Sequence, residues 1–87
     1  MDLYEGQLFF IKFNKYSEGI YAIKIVSIDD VYVTFKCERY DNGSLSSSIT
    51  VVECERNIKK FFIKGIWTLV KPDVYLRKIY KPCNDEH

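Results

Sequence analysis

The side chains best suited to chemistry are concentrated in residues 58–81. This segment carries seven cationic side chains and a single acid, Asp73, a balance of +6. Residues 1–57 carry six basic and nine acidic side chains, a balance of −3, and the whole chain has a net charge of only +1. A local excess of one sign creates a field that a nearly neutral total conceals. The pattern predicts a surface for an acidic partner.

Tyrosines lie among these cations, and tyrosine beside cationic residues is typical of the energetically dominant residues in protein interfaces. An acidic protein surface is therefore the partner we expect. Nucleic acid is the alternative, because lysines can follow phosphates while tyrosines stack on bases, but the low net charge weakens it. Lysines also collect at helix C-termini for purely structural reasons. The predicted contact residues are Lys59, Lys60, Lys64, Lys71, Tyr75, Arg77, Lys78 and Tyr80.

Catalytic and metal sites find little support in the sequence. The one histidine is His87, so no Cys–His or Ser–His–Asp arrangement suggests itself. Cys83 and His87 have a possible ligand spacing but no second pair to complete a zinc site. The four glycines are isolated, so no phosphate-binding loop is present. We expect no enzyme activity, no cofactor, no metal and no small-molecule substrate.

Bulk composition predicts one small domain over residues 1–81, followed by a flexible tail at 82–87. The apolar fraction is 47%, which is typical of a globular chain. Three widely spaced cysteines argue against a disulfide framework. No stretch approaches the length of about 20 apolar residues that spans a bilayer. We expect a soluble, intracellular protein in the cytoplasm, with no membrane partner.

Alternating and β-branched runs predict strands near residues 8–13, 20–28, 31–38, 66–70 and 74–80, with a short polar edge strand at 44–49. Asp29-Asp30 and Asn42-Gly43 supply the turns between neighbouring strands. The third strand alternates most clearly. Its predicted inward side consists of Val31, Val33, Phe35 and Cys37.

A helix is predicted over residues 51–64. Val51, Cys54, Ile58 and Phe61 fall on one helical stripe. Thr50 and Glu53 fit a capping box, and Gly65 fits the left-handed residue that follows many helices. The expected fold is mainly β, in the α+β class: a small antiparallel barrel of five to six strands, with this helix closing one end.

The stretch from Gly19 to Phe35, in which the apolar run from Ile20 to Ile28 leads through a short turn into the Val-x-Val-x-Phe run of residues 31–35, resembles the second and third strands of SH3-like barrels of the Tudor type. The likeness covers residues 6–43. It implies a small β-barrel with a binding role, in which an aromatic cage receives a peptide or a methylated side chain. Tyr21 and Tyr40 stand at the corresponding positions and form a possible aromatic pocket.

Together these features predict a non-catalytic binding protein. It would act by protein–protein interaction as a regulator, adaptor or inhibitor of another macromolecule, for example one that handles nucleic acid. Direct nucleic-acid binding by a small barrel is the alternative.

Overall fold

The structure, a computed structural model, describes residues 2–15, 19–41 and 44–71. These residues form an antiparallel sheet of five strands and one helix, which confirms the mainly β, α+β class. The elements in chain order are β1 (Leu8–Lys12), β2 (Tyr21–Ile28), β3 (Val33–Asp41), β4 (Ser44–Glu53), α1 (Glu55–Ile63) and β5 (Thr68–Val70).

The strand order is β4-β3-β2-β1-β5, with every neighbouring pair antiparallel. Within the described residues no ladder joins β4 to β5, so the sheet is open and the expected closed barrel is not formed there. β1 pairs with β2 on one side and with β5 on the other. The expected sixth strand at 74–80 and the tail at 82–87 lie outside the described residues.

The β2–β3 connection is built by Asp29, as the turn prediction required. Its Oδ1 accepts hydrogen bonds from the backbone N–H of Val31 at 2.8 Å and of Tyr32 at 2.6 Å. These two bonds hold the pKa of Asp29 below its ordinary value, the Tyr32 bond contributing most. The expected inward position of Val31 is wrong: it lies before β3 and is 61% exposed. The side chain is left outside because the Asp29 turn takes up its backbone.

One face of the sheet, here called the helix face, carries the main core. Val33, Phe35 and Cys37 are buried there, as the alternation of β3 predicts. Trp67 ties the helix to this face: its ring lies 5.6 Å from that of Phe35, 5.0 Å from Phe61 and 5.6 Å from Phe62. The other buried members of the cluster are Phe9, Ile11, Ile23, Ile25 and Ile58.

The opposite face is defined by Phe10 and Ala22, which form a second, smaller buried cluster. They are adjacent across β1 and β2 and alternate with residues of the main core, as successive strand residues must. Ile20, Tyr40 and Val70 pack against them and are partly buried. The sheet is therefore apolar on both sides, but very unequally.

The helix begins later than the sequence predicts. Thr50 and Glu53 lie in β4, so the expected capping box is wrong, and the N-cap residue is Cys54, whose side chain makes no capping bond. The β-branched residues around Thr50 prefer to extend β4 against β3. For the same reason β4 runs four residues beyond the short edge strand expected at 44–49. Val51, placed on the helical stripe by the prediction, pairs with Phe35 in the sheet.

The end of α1 matches the prediction. Gly65 has a φ of +73°, the left-handed conformation that favours glycine, and its N–H donates to the Phe62 carbonyl at 3.2 Å. The chain then returns to the sheet, and the Trp67 N–H donates to the Phe61 carbonyl at 3.0 Å. This turn places the indole ring under the helix.

Candidate interaction surface

The predicted cations that the structure describes are all exposed, and three of them belong to α1. Lys59 and Lys60 lie on the helix and Lys64 is its C-cap residue. Lys59 Nζ lies 3.7 Å from Glu55 Oε1, a half-exposed pair of little energetic value. Lys60 and Lys64 have no ion pair among the described residues. The C-terminal half of α1 therefore presents uncompensated positive charge.

The other predicted contact residues are not brought to this surface by the described structure. Lys71 is exposed but follows β5, on a separate element. The remaining four predicted contacts lie outside the described residues: Tyr75, Arg77, Lys78 and Tyr80.

An apolar groove of about 220 Å³ runs along α1. Its lining consists of Leu3, Ile58, Lys59, Phe62 and Ile63. Pockets for drug-sized ligands are usually larger, about 300–1,000 Å³, so the volume fits an inserted side chain better than a cofactor. Ile63 is 83% exposed, the most exposed large apolar residue described. An exposed apolar rim beside cations is a feature of interaction sites.

Local hydrogen bonds hold the N-terminal segment that supplies Leu3. The Tyr4 N–H donates to Gln7 Oε1 at 3.1 Å, and the Gln7 N–H returns to the Tyr4 carbonyl at 3.2 Å. Gln7, though polar, is buried, and its backbone carbonyl accepts a hydrogen bond from the Ile25 N–H at 2.9 Å. Gly6 turns the chain here with a φ of +83°. Leu3 is thus carried to the helix by a segment fastened to β2.

Tyr21 and Tyr40, the possible aromatic pocket, are not brought together. Tyr21 packs against the core of the helix face, while Tyr40 packs against Phe10 and Ala22 on the opposite face. The difference follows from strand alternation, since Tyr21 pairs with Arg39 and Tyr40 is the next residue along β3.

The surroundings of Tyr21 are already occupied. Its ring lies 4.6 Å from that of Phe13, and the Arg39 guanidinium sits 5.7 Å from the ring centroid. Arg39 Nη1 also donates to the Tyr21 hydroxyl at 3.4 Å, and Arg39 Nε pairs with Asp41 at 3.3 Å. The hydrogen bond to Tyr21, followed by the charge of Asp41, raises the pKa of Arg39 further. A cation of the chain itself occupies the place that a cationic ligand would take.

A lysine pair on the opposite face was missed by the sequence reasoning. Lys24 on β2 lies directly across from Lys36 on β3. The overall acidity of residues 1–57 conceals this pair. Counting outward from the turn would not have revealed it, because a register shift between Ile25 and Ser27 moves the pairing by one residue. The exposure of Ile63 was missed as well, and only the path of Leu3 could have shown the groove.

Metal-binding groups do not converge in the described residues. Within ranges 2–15, 19–41 and 44–71 no cluster of three His, Cys, Asp or Glu side chains is placed to hold a metal. Cys37 is a free thiol in the core, where burial, assisted by the charge of Glu38, raises its pKa. No helix in this part of the chain is long and apolar enough to cross a membrane.

Comparison with known proteins gives no relative: no family model, curated protein or solved structure matches the chain.

Proposed function

We propose that this protein is a non-catalytic binding module that docks the C-terminal half of α1 on an acidic protein surface. It acts there as a regulator, adaptor or inhibitor of its partner, and the partner is in the cytoplasm. The observation that carries the proposal is the exposure of Ile63 at the rim of an apolar groove, on the helix that also carries Lys60 and Lys64.

The chemistry of this surface favours a protein partner over a small molecule. The groove has room for one or two apolar side chains and is lined by Lys59, while Lys60 and Lys64 lie on the same helix outside the lining. Residues three or four apart share a helix face, so the two lysines point the same way. A partner segment that combines an apolar anchor with Asp or Glu would satisfy both features.

The SH3-like, Tudor-type resemblance is retained as the finer part of this proposal. What supports it is the β2–β3 hairpin and the position of α1 directly before the last described strand. The binding mode proposed here does not use an aromatic cage, because Arg39 covers Tyr21.

The test is a pull-down from the native host with the full chain, repeated after nuclease treatment. We compare the wild type with the double variant Lys60→Glu/Lys64→Glu. The control is Lys24→Glu/Lys36→Glu, which makes the same change in net charge on the opposite face. We expect a protein partner that survives nuclease, is lost with the α1 variant and is kept by the control.

Nucleic-acid binding predicts a different result. Capture would disappear after nuclease, and affinity would fall by orders of magnitude between about 50 and 200 mM salt. Retention of the partner by the α1 double variant would remove this surface from either function. The single variant Ile63→Lys separates the apolar contribution from the charge, since it weakens binding only if Ile63 is inserted into the partner.

A further inference from the structure

We infer that β4 is a self-association edge, on which a second copy of this chain adds its own β4 in antiparallel orientation. The inference is independent of the function proposed for α1, because it uses the far end of the sheet. Among the described residues β4 pairs only with β3, so its other edge has no strand beside it there. Roughly half the residues of such an edge strand direct their N–H and C=O groups outward, unpaired.

Among the described residues this edge has little of the usual protection against pairing. Natural sheets block their edges with charged residues, proline, short strands or bulges. β4 is ten residues long, and residues 44–52 contain no charge, no proline and no glycine. One bulge is present, where Ser46 is left between the partners of Arg39 and Tyr40, but the strand beyond it is regular to Glu53. The opposite edge, β5, is only three residues long.

A second copy suits β4 because the strand is complementary to itself. A two-fold axis through Thr50 places Ile49 of each copy across from Val51 of the other, and β-branched pairs of this kind stabilise sheets. Within one chain Val51 pairs with Phe35 and Ile49 pairs with Cys37. The apolar row of the helix face therefore continues without a break from Phe35 of one copy to Cys37 of the other. Ile49, now 59% exposed, becomes covered.

Neighbouring registers are less favourable. With the axis through Ile49, the two Ile49 side chains face each other, but each Val51 faces a Ser47. With the axis through Val51, the two Val51 side chains face each other, but each Ile49 faces a Glu53. Either register forms one apolar pair on the helix face, where the axis through Thr50 forms two. The axis through Thr50 sets Glu53 across from Ser47, and the two Glu53 side chains are then about 20 Å apart at about 3.4 Å per residue. No like charges meet along the new ladder.

The symmetry also limits growth. Pairing across a two-fold axis is a closed contact, so it consumes both β4 edges and yields a dimer and not a fibre. The described edges left over are the two short β5 strands.

The experiment is sedimentation equilibrium of the full chain over a wide concentration range. We expect a reversible monomer–dimer equilibrium. Ile49→Lys should weaken it about tenfold or more, because each dimer then sets two lysines against the Val51 side chains in place of two apolar pairs. The matched control is Ile63→Lys, the same substitution at an exposed isoleucine of α1, which should leave the equilibrium unchanged. Circular dichroism verifies that both variants fold.

A cross-link tests the register without a destabilising substitution. In a Cys54→Ser/Cys83→Ser background, Thr50→Cys should form an intermolecular disulfide on mild oxidation. The paired Cα atoms would lie about 4.5–5.5 Å apart, a spacing that disulfides accept. Ser44→Cys, equally exposed at the strand end, should cross-link much more slowly.

Three results would overturn the inference. The first is a chain that stays monomeric at every concentration. This result would overturn the inference even if a strand of another protein were found to pair with β4. The second is a dimer that Ile63→Lys dissociates and Ile49→Lys does not. The third is equal cross-linking of Thr50→Cys and Ser44→Cys.

Discussion

The two faces of the sheet differ in how much apolar surface they bury and in what covers it. The helix face buries nine residues in one cluster, and α1 with Trp67 covers it. The opposite face buries only Phe10 and Ala22 and carries the Lys24–Lys36 pair between its strands. The first face concentrates aromatic rings around one indole, while the second combines a small apolar cluster with charge.

The difference shows where the stability of this domain resides and where its surface is free to vary. A helix placed on one side of a sheet gives that side its core, and the other side then needs only enough apolar contact to order its strands. Residues of the helix face are held in place by packing, whereas the charged residues of the opposite face interact mainly through electrostatic forces between their side chains. Truncation of an aromatic residue should therefore cost more on the helix face than on the opposite face, and a change of charge in the Lys24–Lys36 pair should have the opposite sign.

Removal of the indole should have the largest effect. Trp67→Ala deletes the ring that contacts Phe9, Phe35, Phe61 and Phe62. We expect a loss of about 3–5 kcal/mol in the free energy of unfolding, from lost burial and the cavity left behind. Urea unfolding followed by circular dichroism measures it. A loss below about 1 kcal/mol would show that α1 does not depend on Trp67 for its position.

Phe10→Ala is the equivalent substitution on the opposite face. Phe10 is as well buried as Trp67, but its cluster has only one other fully buried member. We expect the free energy of unfolding to fall by about 3 kcal/mol, at the low end for a buried aromatic residue, because the smaller cluster can collapse into the space. The same urea titration checks the value. A loss larger than that of Trp67→Ala would reverse the ranking of the two faces.

Acid should weaken the attachment of α1 to the helix face. The Glu53 carboxylate accepts hydrogen bonds from the Asn57 side chain at 2.8 Å and the Cys54 N–H at 3.0 Å. These bonds, the Asn57 bond first, lower the pKa of Glu53 below its ordinary value. Because the folded-state pKa is depressed, the stabilisation is complete above the unfolded-state pKa and is lost as the pH falls through the folded-state pKa.

The variant Glu53→Gln tests this attachment. It keeps an acceptor oxygen but cannot ionise, so we expect it to be less stable than the wild type at about pH 7 and closer to the wild type in stability at about pH 3. Urea unfolding followed by Trp67 fluorescence gives both values. A difference that does not change with pH would show that the charge of Glu53 contributes nothing to the placement of α1.

Much of the fold, including which side of β3 is buried, could be predicted from the sequence, but the start of the helix could not. The alternation of Val33, Phe35 and Cys37 correctly indicated the buried side of β3, and Gly65 correctly indicated the helix end. The predicted start of the helix was wrong because Thr50 and its β-branched neighbours fit both a helical stripe and a strand. Pairing with β3 decides between them, and it is a long-range contact that local patterns do not contain.

The candidate surface was predicted in part for the same reason. The exposed lysines of α1 follow directly from the charge pattern. The groove beside them depends on Leu3, which reaches α1 only because Gly6 and Gln7 fasten the N-terminal segment to β2. The two tyrosines of the possible aromatic pocket, Tyr21 and Tyr40, lie on opposite faces because Tyr40 is the next residue after Arg39, which pairs with Tyr21. Such register effects appear only when the strands are aligned.

The smallest effect should come from the Lys24–Lys36 pair, and its sign should be opposite to the others. Like charges directly across a ladder are unfavourable, so Lys36→Glu should stabilise the domain by about 0.2–1 kcal/mol. Lys24→Glu should give a similar gain, and the double variant should return close to the wild type because two glutamates then face each other. High salt should shrink all three differences, since the side chains are at least partly exposed. Thermal melting of the four proteins at low and high salt measures this cycle. If the single variants destabilise the domain, or if their effects add in the double variant, the two lysines do not act on each other and the opposite face is held by packing alone.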